Sequence, residues 1–595
     1  MSSERTNATG RCKQVSQARR HTAKGEDAAQ GAGACARPMR GAIWTKKIHK
    51  LGGNMGYNYI IAGGGSAGCV LANRLSADPA VKVALLEAGG RDWNFLIHMP
   101  SGYAGLMRTG WVDWGYHTEP QAGLNGRRLY WPRGKVLGGS SSVNAMIYIR
   151  GVPSDYDTWA QLGNRGWAWD DVLPYFKKAE NYAGGADEYH GGNGPLKVSR
   201  PGVVNPLNVA WIEAGKQAGH PYTDDFNGAS QEGFGPIDCT VSNGRRASAA
   251  VCYLKPVIDR PNLTVITRAQ ATRIVVENGR AVGVEYAQGR EKRTIRADRE
   301  VIVSGGAINS PQLLLLSGIG PADEIAPHGI KSVHHLPGVG KNLQDHIHGA
   351  IKHYCPKPVS YYNIVKPSAL VRHVAYYLMT HKGPASIVGL ESLAFLKTRA
   401  EVVAPDVQYH FAAILYADHG RKMIQRHGYM GYYNLQRPHA RGEIVLKSAD
   451  PLAHPAIQPN YLQNDADLRT LRDGFKMLRD VFAQAAFDPY RGEEFQPGDT
   501  VRTDAEIDDY NRRTAETIYH PIGTCKMGQD DMAVVDETLR VRGLEGLRIV
   551  DASIMPRLIS GNTNAPTIMI AERAADIILS GVVASSDSGD AAMAA

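Results

Sequence analysis

From residue 57 onward, short apolar runs alternate with glycine-rich turns and amphipathic stretches. Tyr57–Ala62 has the pattern of a buried strand. It ends in Gly63-Gly64-Gly65 and gives way to a helical stretch through Leu75. Val81–Leu86, Glu300–Ser304 and Leu547–Val550 are further short apolar strands stopped by small or acidic residues. Such strand–helix alternation predicts an α/β fold, in which strands far apart in sequence can share one sheet.

The pattern changes between about residue 350 and residue 517. Val407–Leu415, Gly431–Gln436 and Glu443–Lys447 read as longer strands, and a helix follows that places Leu468, Leu471, Phe475, Leu478 and Phe482 on one face. This predicts a sheet-based second domain over residues 346–517. A nucleotide domain would flank it discontinuously, its first part at 55–345 and its C-terminal part at 518–582. Residues 1–54 are polar, basic and without a sustained period, and they lack the apolar core of a secretory signal. They are expected to be an unstructured extension, or upstream sequence with Met55 as the start. Their Arg-rich, acid-poor composition also suits organelle targeting. Residues 583–595 are expected to form a disordered tail.

Composition narrows the function. The chain has 595 residues, 43% of them hydrophobic, enough for a sizeable core. No run reaches the roughly 20 apolar residues of a membrane span, so an integral membrane protein is not expected; the localisation expected is cytoplasmic, with peripheral contact at the inner membrane left open. The net charge is +9, but residues 1–55 hold eleven Lys/Arg against three Asp/Glu, so eight of those charges lie outside the folded part. A nucleic-acid partner is therefore not expected. Seven scattered cysteines without a C-x-x-C read as reduced thiols.

The first candidate chemistry is a strand followed by G-x-G-x-x-G at the start of a helix. Gly63 makes the turn, Gly65 lets a pyrophosphate approach the backbone, and Gly68 lets helix and strand pack closely. Ser66 and Ala67 supply N–H groups at the positive end of the helix. Glu87 closes the second strand, where a carboxylate can accept from a ribose. This unit alone does not separate FAD from NAD. Gly138-Gly139-Ser140-Ser141-Ser142-Val143-Asn144 is a second small-residue loop, suited to packing on a flat polar ring. Gly305-Gly306-Ala307-Ile308-Asn309-Ser310-Pro311 opens a third, running into a helix that stops at Ser317-Gly318.

The second and third loops resemble the two signature motifs of the glucose–methanol–choline (GMC) oxidoreductase family. The resemblance extends from about Tyr57 to Leu579 and includes Gly338–His346, His520–Gly528 and Asp551–Pro556. Ile97-His98-Met99-Pro100 and Trp131-Pro132-Arg133-Gly134-Lys135 are most similar to bacterial aliphatic alcohol dehydrogenases and choline dehydrogenases. The resemblance implies a Rossmann-like FAD domain with a sheet-based substrate domain. It implies cofactor contacts at Gly63, Gly65, Ser66, Ala67, Gly68, Glu87, Gly138, Gly139, Ser140, Asn144, Ala271, Asp551 and Ala552. Val143 stands where some members attach the flavin through His, so the FAD is expected to be non-covalent.

The implied reaction is oxidation of a primary alcohol to the aldehyde. His520 would take the hydroxyl proton, flavin N5 the hydride, and a quinone or similar carrier the electrons. Pro521 restricts His520 to extended backbone. The resemblance places the second catalytic group, a His or Asn, at Asn564, which can also begin the last helix. Choline oxidation is the alternative within the class, and a non-redox flavin-containing lyase is the alternative outside it. Glu391 with Tyr361, Tyr362, Tyr432 and Tyr433 would form a pocket for a quaternary ammonium, or else ordinary domain packing. His346-x-His348 puts two rings on one face of an extended segment but lacks a third metal ligand. No metal is expected.

Overall fold

The computed structural model describes the backbone of residues 56–592 and side chains through residue 581; the extension expected at 1–54 lies outside the described residues. Five strands run parallel in the order Leu263–Thr267, Val83–Glu87, Tyr57–Ala62, Glu291–Val303 and Leu547–Ile549. Parallel strands covered on both faces need continuous apolar runs, and Ile60, Ile61, Val83, Leu85, Val301 and Ile302 are completely buried. The strands end at one edge, where Gly63, Glu87, Ser304 and Asp551 come together beside one cavity. Open α/β sheets bind ligands at this carboxyl edge.

The strand expected at Glu300–Ser304 is only the end of a longer one. The first half of Glu291–Val303 pairs antiparallel with Arg280–Gln288, which pairs with Gln270–Glu277. That meander escaped the sequence pattern because its residues Glu291–Thr294 are exposed and polar. The helix Ser66–Leu75 packs along the last helix, Asn564–Ala592. Arg74 clamps the pair, donating to both oxygens of the fully buried Glu572 at 2.8 and 2.6 Å, and Tyr253 donates to the same carboxylate. The last helix continues past residue 582, where a disordered tail was expected. The segment holds no proline, and adding residues to an existing helix costs little.

A second sheet has the order Glu494–Gln496, Ile347–Tyr354, Gly428–Leu435, Val407–Ala412, Ser392–Leu396 and Gly233–Pro236, all antiparallel; Glu516–Thr517 also pairs with Ile347–Tyr354. Successive side chains point to opposite faces. Tyr433 meets Phe475 edge-on, and a Cβ on Gly431 would lie 2.8 Å from Leu478, so this face carries the helix Asp465–Ala483. Leu468, Leu471, Phe475, Leu478 and Phe482 are all buried there. The opposite face presents His348, His410, Ala412 and Tyr432 to the cavity.

Two boundaries differ from expectation. Gly233–Pro236 joins this sheet from within the 55–345 segment, and Phe234 packs against Trp211 of the helix Pro206–Gln217. The sheet thus draws on chain well before residue 346. Glu443–Val445 pairs instead with Ala456–Gln458 in a separate ribbon.

Candidate active site

The glycine loops form the first wall. Gly63 has φ +121°, and a Cβ there would lie 2.3 Å from the Ser304 carbonyl oxygen; one on Gly68 would lie 1.9 Å from that of Gly63. Gly65 differs: a Cβ would meet only the Ser304 oxygen, at 4.0 Å, so space is left open there. The second loop is pressed onto the first. Gly138 N–H donates to the Gly64 carbonyl at 2.7 Å, and a Cβ on Gly139 would sit 2.8 Å from Gly65 Cα. The Ser141 and Ser142 hydroxyls hold this turn by donating to Gly138 and Leu137 carbonyls, whereas Ser140 lines the cavity.

The surrounding side chains are held by charged partners. Asn144 receives two bonds from Arg246, at 2.6 Å to its carbonyl and 2.7 Å to its amide oxygen. Burial pushes Arg246 down to about 9. Glu87 accepts from the Gly64 and Gly89 N–H groups, and burial raises its pKa to about 7. Asp551 accepts from Gly306 N–H at 2.8 Å, Ser310 Oγ at 2.5 Å and Ser553 N–H at 2.8 Å. Ala271 and Ala552 line the same wall. The Gly65 cap of the helix Ser66–Leu75 makes no side-chain bond, and the buried Ser304 hydroxyl has no partner among the described residues. Open space at Gly65, a bare helix N-terminus and an unpaired hydroxyl on one cavity fit a dinucleotide.

His520 sits opposite. Its backbone N–H donates to Asp345 Oδ1 at 2.6 Å, while Tyr461 and Thr517 hydroxyls occupy Oδ2. Tyr519 before it adopts φ +72°, a costly conformation for a bulky residue. Arg133 donating to the Tyr519 carbonyl at 2.6 Å and Tyr519 N–H donating to Thr517 Oγ1 at 2.8 Å hold it there. These contacts and Pro521 aim the imidazole into the cavity.

Hydrogen bonding assigns the tautomer. The Gln436 carbonyl can only accept, so His346 Nε2, 3.1 Å away, carries a hydrogen. His346 Nδ1 is then an acceptor, and its 3.0 Å contact with His520 Nδ1 requires the hydrogen on His520. His520 Nε2 is left as a lone pair facing the cavity. Burial holds the His520 pKa well below its ordinary value, with His346 and His410 adding to the effect. A neutral imidazole with an exposed lone pair is what a proton acceptor requires.

The partner of that lone pair corrects the expectation at Asn564. Asn562 Nδ2 lies 3.1 Å from His520 Nε2, and Gln408 donates to its amide oxygen. Asn564, two residues on at the start of the last helix, instead accepts from Ser66 Oγ at 2.8 Å and ties that helix to the glycine loop. Asn562, two residues before the expected Asn564, is the amide that meets His520, and both asparagines line the cavity. His346 is the other residue that sequence reading missed: half of an incomplete metal pair there, it is a ring partner of His520 here. Among the described residues no group of three or more His, Cys, Asp or Glu is arranged to hold a metal ion.

One cavity of about 680 Å³ runs from the glycine loops past His520 and Asn562 to Ile364, Val365, Pro384 and Ile387. On the sheet side, burial lowers His348 and His410 to about 3, so both are neutral. Glu516 lies 3.6 Å from His419, which burial lowers to about 4 and so leaves neutral; burial also raises the Glu516 pKa despite the nearby Arg127 and Lys352, and Asp418 pairs with Arg421. Glu391 accepts from Val204 and Asn205 N–H groups and from Tyr361, while Tyr433 donates to Asn511 on the far face. The acidic aromatic pocket considered from sequence is assembled only in part: Tyr361 and Tyr432 line the cavity, whereas Glu391, Tyr362 and Tyr433 are not in its lining.

The strand order, the glycine cradle and the His–Asn pair over one cavity define a flavin-dependent alcohol-oxidising class. The chain belongs to the GMC oxidoreductase family, whose N- and C-terminal models match residues 57–348 and 438–571. It is 48% identical to mitochondrial choline dehydrogenase of Homo sapiens over 531 residues, 88% of this chain and 89% of that one. Oxygen-dependent choline dehydrogenase of Brucella ovis is 48% identical over 524 residues, 88% of this chain and 95% of that one. The solved pyridoxine 4-oxidase of Mesorbium loti superposes with a TM-score of 0.80 at 34% identity, over 87% of this chain and 98% of that one. This chain is an FAD-dependent oxidoreductase acting on CH–OH groups. No helix among the described residues is long and apolar enough to cross a membrane.

Proposed function

We propose that the substrate is a neutral primary alcohol, oxidised to its aldehyde, with electrons passed to a quinone or similar carrier at a peripheral contact with the cytoplasmic face of the inner membrane. FAD bound in the glycine cradle supplies the hydride acceptor. Gly63, Gly65, Ser66, Ala67, Gly68, Glu87, Gly138, Gly139, Ser140, Asn144, Ala271, Asp551 and Ala552 would hold it. Val143 lines the cavity at the position where a His would be needed for covalent attachment, so the cofactor is retained by contacts alone.

The alcohol oxygen enters between His520 Nε2 and Asn562 Nδ2, replacing their mutual bond. Asn562 donates to that oxygen, and the hydroxyl proton moves to His520 Nε2. Asn562 then stabilises the alkoxide without competing for the proton. His346 Nδ1 keeps accepting from His520 Nδ1–H, so the ring does not rotate as it gains charge. The apolar lining at Ile364, Val365, Pro384 and Ile387 supports the choice of a neutral alcohol, whereas Glu516, which also lines the cavity and accepts no hydrogen bond among the described residues, is the group that would suit a quaternary ammonium.

The second reading is choline, favoured by the 48% identity to the human and Brucella ovis enzymes. Anaerobic addition of 1-octanol, benzyl alcohol and choline in separate cuvettes decides. Bleaching of the oxidised flavin by the neutral alcohols and not by choline is expected; bleaching by choline alone replaces the first reading with the second.

A further inference from the structure

We propose that the helix Pro367–Thr380, with Trp93 and Phe95 beside it, is a docking face that seats the mouth of the cavity on an anionic lipid surface. Val371, Ala375, Leu378 and Met379 recur at i, i+4, i+7 and i+8, the spacing that elsewhere marks a stripe facing the core. Here the stripe faces outward: Val371 is 71% exposed, Leu378 54% and Met379 76%. Tyr377 is the one buried residue of the helix. It donates to the His98 carbonyl and packs with Met99 and Ala385, which fixes the opposite side of the helix to the body of the protein.

Leu96 and Val374 join that same cluster, so Trp93 and Phe95, both exposed, flank the helix on the segment it rests on. Residues 346–390 contain no Asp or Glu, and Lys366, Arg372 and Lys382 ring the stripe. The charge argues against a second copy of this chain, which would bring like charges together. It matches anionic headgroups: apolar side chains enter the acyl boundary, cations remain with the headgroups, and Trp sits at the interface.

The position relative to the cavity gives the face a use. Ile364 and Val365 just before the helix, and Pro384 and Ile387 just after it, line the cavity. An apolar alcohol or a quinone dissolved in the bilayer could therefore enter beside the docked helix without crossing water. The docking face stands on exposure and charge, independently of which alcohol is oxidised.

The test is flotation of the FAD-loaded enzyme with vesicles of phosphatidylglycerol mixed with phosphatidylcholine, and with phosphatidylcholine alone. The enzyme should float with the mixed vesicles and markedly less with the neutral ones. Val371→Asp, Leu378→Asp and Met379→Asp together should lower the bound fraction about tenfold or more, with the flavin spectrum and its bleaching by a short water-soluble alcohol unchanged. Arg372→Glu with Lys382→Glu should weaken binding with the apolar stripe intact. Failure of the unaltered enzyme to float with mixed vesicles overturns the proposal, as does equal flotation of both variants. A dimer in sedimentation velocity that the triple variant dissolves also overturns it, assigning the face to a second copy.

Discussion

The two walls of the cavity recognise their ligands by different means. On the parallel-sheet wall the requirement falls on backbone: Gly63, Gly65, Gly68, Gly138 and Gly139 leave space or adopt geometry that a side chain would deny. On the antiparallel-sheet wall it falls on side chains from separate segments. His520, His346, Asn562, Gln408 and Gln436 meet through contacts that each bridge 42 to 174 residues. Backbone recognition dictates the residue type over a short stretch of chain. Side-chain recognition dictates only an arrangement, which many distributions along a chain can satisfy.

Substitutions on each wall test the contrast, beginning with the largest effect. Gly65→Ala adds a methyl that the protein accommodates and the pyrophosphate does not, so the variant should fold, by far-UV circular dichroism, with almost no bound flavin. Full flavin occupancy would mean the open space is not the cofactor's. His520→Ala should do the reverse: flavin retained, its anaerobic reduction slower by roughly 10²–10⁴-fold. Reduction at the unaltered rate removes His520 from the reaction.

Asn562→Ala should slow reduction by roughly 10–100-fold, as loss of one hydrogen bond to a developing charge does. Asn564→Ala should cost less, about tenfold or below, acting through the Ser66 contact. The reverse order would show that the asparagines were exchanged. The smallest effect concerns pH. Because burial lowers the His520 pKa, the base is neutral above that lowered value and is lost only as pH falls through it. The kcat/KM profile should therefore stay level through neutrality and decline below the ordinary histidine value of 6.5. An acid limb centred above 7 would show a solvated base.

Much of the first wall was legible in sequence, for the reason the contrast gives. The strand–glycine–helix unit and Glu87 lie within one short stretch of chain, and the helix Asp465–Ala483 announced itself by period. The second wall was legible only in its outline. Nothing local distinguishes Asn562 in a loop from Asn564 in the first helical turn, yet one meets His520 and the other Ser66. His346 looked like half of a metal pair because its partner ring lies 174 residues away. Gly233–Pro236 is too short and glycine-rich to read as a strand, and only its pairing with Ser392–Leu396 makes it one.

The contact between Ser66 and Asn564 also sets a schedule. The two residues are 498 positions apart. At typical synthesis speeds of about 5–20 residues per second, the glycine loop leaves the peptidyl-transferase centre roughly 25–100 s before the helix that covers it exists. During that interval the cradle lacks Asp551, Asn562 and Asn564, so a nascent chain can offer a flavin one wall and no enclosure. Full enclosure of a flavin therefore waits until the last helix has been made.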